Sequence, residues 1–250
     1  MSLWNLRITH LGGAAIHLDR PGRSFVFDPA EPPGDDVALV SWYDCDRSIG
    51  VERAVRDKAT PEVVACESVL DWLGRSALTA HEAPVRIDGV QIEAEPYQPI
   101  PWATPTEALR KVGAALRRPL RAGRRMARRT SLPRGGAPLV WQLTFPDGRR
   151  LVHLGCSLHS GADPSWIQMA QRRYQGADWL LCGSDYDEEA AVLEHLPGFG
   201  GKVVLLVDLV NQMREQLSLR TRLLTPLVDQ LVDQKVAAYP CTAGSAYRFE

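Results

Sequence analysis

The chain has 250 residues, 45% hydrophobic and 24% charged, with a formal net charge of −1 at pH 7. That composition excludes a disordered or fibrous chain and is enough for one large core, so a single domain over residues 1–250 is expected. Apolar runs such as VVLLV at 203–207 are far too short for a bilayer, and MSLWNLRITHLGG lacks the features of a secretory leader, so a cytoplasmic protein without a transmembrane segment is expected.

In chain order, LRITH (6–10), AAIHL (14–18) and RSFVFD (23–28) read as short strands separated by LGG and DRPG turns. After the Pro/Gly-rich PAEPPGDD, the strand VALV leads into the loop LVSWYDCDRSIG, and a helix is expected over 49–58. TPEVVACESVLDWLG reads as a strand at Val63–Ala65, then a helix capped by Ser68 or its neighbours and ended by Gly74. APVRIDGVQIEAEPYQPIP predicts a hairpin turning at Asp88-Gly89.

The second half repeats the theme. LVWQLTFPDGRRLVHLGCS predicts a hairpin around Pro146-Asp147-Gly148, PSWIQMAQRRYQGA a helix, and DWLLCG and KVVLLVD strands. A long helix is expected from about Asn211 to Lys235, with Leu217, Leu224, Leu227, Val228 and Leu231 on one face, and AGSAYRF closes the chain as a strand. Strands that come first as hairpins and then alternate with helices in each half predict an α/β, four-layer αββα sandwich.

Charge is unevenly spread. Between Glu107 and Arg134 the sequence holds 10 of its 29 Lys and Arg against one of its 30 Asp and Glu. This basic helical insertion, at about 104–136, carries Arg117, Arg118, Arg121, Arg124, Arg125, Arg128 and Arg129. It predicts either arginines paired to an acidic body or a contact with an anionic ligand, a nucleic acid or a membrane surface. The absence of interleaved aromatics between Leu109 and Arg134 counts against base stacking. The cysteines at 45, 66, 156, 182 and 241 are odd in number and form no CxxC pair, so reduced thiols are expected.

The order of ITHLGGAAIHL, RSFVFDPA and GRRLVHLGCS resembles the metallo-β-lactamase fold superfamily, particularly its branch similar to ascorbate-6-phosphate lactonases and other metal-dependent hydrolases. The resemblance implies a dinuclear metal site held by an HxHxDH loop, a later His, an Asp in a Gly-Asp element and a final His. Imidazoles and a carboxylate would leave a zinc pair with open positions for a bridging hydroxide. In the loop SWYDCDRS those positions fall on Trp42, Asp44, Asp46 and Arg47; the later ones fall on Gln98, Cys156 and Asp208. Asp46 alone keeps the family's residue, and Asp28 matches the aspartate that supports the loop.

Trp42 cannot ligate a metal and Arg47 brings a fixed positive charge, so no metal or other cofactor is expected. Two readings stay open. In one, Arg47 is an internal cation that pairs with some of Asp44, Asp46 and Asp208. In the other, those three aspartates, with or without Cys156, hold a harder ion such as Mg or Mn.

The remaining catalytic candidates are Asp46, Cys156 and His159: a thiol beside His153 or His159 has the makings of a nucleophile, and His159 those of a ligand or general base, each weighed against a structural thiol and a solvated loop histidine. The expected function is therefore a superfamily-fold protein that has lost the dinuclear site and is non-hydrolytic. It retains a cleft walled by Trp42 and Tyr43 for a small molecule or protein partner. The alternatives are a metal-dependent, lactonase-like hydrolase with a non-family Asp/Cys/His ligand set, and a nucleic-acid-associated protein that binds through the Arg-rich insertion.

Overall fold

A computed structural model describes residues 5–41, 48–97, 137–183, 188–209, 211, 221 and 223–249. Two seven-stranded sheets face each other. The first contains β1 (Leu6–Gly12), β2 (Ala15–Asp19), β3 (Phe25–Phe27), β4 (Val37–Leu39), β5 (Glu62–Ala65), β6 (Thr79–Glu82) and β14 (Ala246–Phe249), in the order β14-β1-β2-β3-β4-β5-β6. The second contains β7 (Val85–Ile87), β8 (Val90–Pro96), β9 (Leu139–Thr144), β10 (Arg150–Gly155), β11 (Trp179–Gly183), β12 (Val203–Val207) and β13 (Ala238–Cys241), in sequential order from β13 back to β7. In each sheet an antiparallel half passes into a parallel half: β3 to β6 run parallel, as do β10 to β13.

The strands follow from the alternation of side chains. Leu6 and Ile8 of β1 point inward with Ile16, Phe25, Phe27 and Leu39, and meet Ile92, Trp141, Leu143, Leu151, Leu181 and Leu205 from the other sheet. Helices cover the outer faces. α1 (Ile49–Arg56) and α2 (Glu67–Leu73) pack on the first sheet, and α3 (Pro164–Tyr174), α4 (Glu189–His195) and α5 (Thr225–Asp233) on the second. The result is the expected four-layer αββα sandwich.

Local chemistry explains most boundaries. Asp163 caps α3 by accepting from the Ser165 amide at 2.8 Å, Pro164 occupies the first turn, and Ile167, Ala170 and Tyr174 form the buried stripe. The hairpin of β7 and β8 turns at Asp88-Gly89, both at positive φ (46° and 80°), as a two-residue primed turn requires.

Three features differ from the sequence expectations. The cap of α2 is Cys66 in extended backbone, not Ser68, which falls inside the helix. The single long helix expected over 211–235 is not one helix. Thr221 and Leu223 are non-helical and α5 starts at Thr225, because Pro226 lacks the amide that a continuing helix would need. Its Leu224, Leu227, Val228 and Leu231 are buried as their spacing predicts. Finally, β6, β13 and α4 have no counterpart among the elements expected from sequence; β6 (TAHE) and β13 (AYPC, with its proline) are edge strands that lack a strong apolar alternation. No helix among the described residues is long and apolar enough to cross a membrane. The basic insertion lies outside the described residues.

Candidate ligand cleft

The carboxyl ends of β3, β4 and β5 and of β10, β11 and β12 open on the same edge of the sandwich, where crevices form in sheets of this kind. The described residues on either side of segment 42–47 lie at this edge and are tied down by hydrogen bonds. Asp28 follows β3 in left-handed backbone (φ 44°), a conformation aspartate tolerates, and its Oδ1 accepts from the Ser41 amide at 2.7 Å. Its own amide donates to the Leu39 carbonyl at 3.0 Å.

Ser41 then joins the two sheets. Its Oγ accepts from Trp141 Nε1 at 3.0 Å, and its carbonyl accepts from the Leu139 amide at 3.1 Å. On the far side of the segment, the Gly50 amide donates to the Pro29 carbonyl at 2.8 Å, and Ser48 Oγ donates to Glu52 Oε1 at 2.8 Å. Ser41, Trp141, Ser48 and Gly50 have no local signal in the sequence: Ser41 and Trp141 are 100 residues apart.

On the facing sheet the chain leaves β10 through Gly155 (φ 58°) into Cys156, which is buried. His153, two residues before Gly155, lies between the sheets with its ring stacked on Phe27 at 4.7 Å. His159 is 1% exposed, so the solvated-loop reading of this residue is wrong: the turn after β10 folds it inward. Its Nδ1 accepts from the Gly161 amide at 3.2 Å, so the neutral ring carries its proton on Nε2. Ligation through Nε2 would need the proton on Nδ1, facing the Gly161 N–H, so this geometry suits His159 to donating a hydrogen bond and not to holding a metal.

Asp208, just past β12, has both carboxylate oxygens engaged by Asn211. Oδ1 accepts from the Asn211 amide at 2.9 Å and Oδ2 from its Nδ2 at 2.8 Å. It therefore acts as the cap of the turn that follows, as an aspartate three residues before a helical amide commonly does. The structure thus brings Cys156, His159 and Asp208 to the cleft edge of the second sheet. Trp42, Tyr43, Asp44, Asp46, Arg47 and Gln98 lie outside the described residues. Among the described residues no three His, Cys, Asp or Glu side chains come together as a group that could hold a metal ion.

Cys156 is buried, as a structural thiol would be. Full burial pushes the Cys182 thiol far above its ordinary value, with the neighbouring Cys156 adding to the shift, and burial pushes Cys241 up to about 12. Cys66 is only half-buried. Treatment of the native protein with iodoacetamide at about pH 8 is therefore expected to modify Cys66 while Cys156, Cys182 and Cys241 stay protected until denaturant is added, as read by peptide mass mapping. Native modification of Cys156 as fast as Cys66 would restore it as a candidate nucleophile.

No family model matches the sequence, and no curated protein matches it at a significant level. Solved structures do match. Igni18, a novel metallo hydrolase from the hyperthermophilic archaeon Ignicoccus hospitalis KIN4/I, superposes with a TM-score of 0.65 at 13% identity, covering 98% of this chain and 99% of that one. A possible metal-dependent hydrolase from Veillonella parvula DSM 2008 gives 0.61 at 10% identity, covering 96% and 98%. The isothiocyanate hydrolase from Delia radicum gut bacteria gives 0.57 at 12% identity, again covering 96% and 98%. The chain has the metallo-β-lactamase fold. Likeness at this level of identity carries the fold and no activity.

Proposed function

We propose that this chain is a metallo-β-lactamase-fold protein that has lost the superfamily's dinuclear site, is non-hydrolytic by that mechanism, and keeps its cleft for a small molecule or a protein partner. The observation that carries the reading is Asp208. The residue at the position of the family's final histidine is a carboxylate, not an imidazole, and each of its oxygens accepts from Asn211 within its own turn. Sequence chemistry points the same way. Trp42 and Arg47 stand where two imidazoles would be, and His159 carries its accepting nitrogen toward Gly161 and not toward an ion. The residues present do not fit a family-type zinc pair.

The measurement that tests this is metal content by elemental mass spectrometry, after dialysis of the purified protein against zinc, manganese and magnesium in turn. The expected result is less than about 0.1 equivalent of each retained, on the ligand chemistry above. Retention near one equivalent would overturn the proposal in favour of a metal-dependent hydrolase. If Asp208→Asn then abolished retention, Asp208 would be identified as one of its ligands.

A further inference from the structure

We draw no further inference here: the strongest candidate, the arginine-rich insertion between β8 and β9, whose chain leaves and re-enters the sheet where the Tyr97 amide donates to the Pro138 carbonyl at 2.9 Å, lies outside the described residues, and nothing in the structure shows what its arginines would meet.

Discussion

Trp141→Ala is expected to lower folding stability by about 3–5 kcal/mol, the usual cost of deleting a large buried aromatic. Trp141 is 0% exposed, lies in the cluster between the sheets, and donates through Nε1 to Ser41 Oγ. The substitution opens a void at the cleft edge and removes one of the two hydrogen bonds that tie Ser41 to β9. Trp141→Phe separates the contributions. It keeps most of the bulk and leaves the serine hydroxyl without its donor, so a loss of about 1–2 kcal/mol is expected. Urea unfolding with the slope held in common gives both numbers. An alanine variant as stable as the parent would mean that Trp141 does not join the sheets.

The second large effect belongs to the other side of segment 42–47. A Cβ built on Gly50 meets the Glu31 carbonyl oxygen at 2.1 Å and the Pro29 carbonyl oxygen at 2.6 Å, both backbone atoms. Neither atom can rotate away, so Gly50→Ala must displace the first turn of α1 from the segment after β3. Overpacking of this kind costs about 1–3 kcal/mol, and the Gly50 N–H bond to Pro29 is strained as well. Faster limited proteolysis between Ser41 and Ser48 is expected to accompany the loss, because the contacts being disturbed anchor one end of that segment. A variant with an unchanged urea midpoint and an unchanged cleavage rate would show that the Gly50 contact does not hold this end.

These two positions flank segment 42–47. The supports on either side of the segment are Asp28 with Ser41 and Gly50 with Pro29. The proposed loss of metal directs the search for a ligand to the cleft walls.

The sequence by itself determined the architecture. Period-two alternation in LRITH and short apolar runs in LVWQLT and RRLVHLG mark the strands, the Asp-Gly and Pro-Asp-Gly turns mark the hairpins, and Ile167, Ala170 and Tyr174 mark α3; each signal lies within a few residues of chain. It also places Cys156 and Asp208 at strand ends. What it leaves undecided is what each side chain does there. Asp208 reads in sequence as a candidate metal ligand, but its turn brings Asn211 onto both oxygens; His159 reads as solvated, but the turn after β10 buries it and fixes its tautomer. The Ser41–Trp141 joint is invisible in the sequence. It depends on which strands become neighbours and in what register, and a contact between residues 100 positions apart is set by the packing of the whole sandwich.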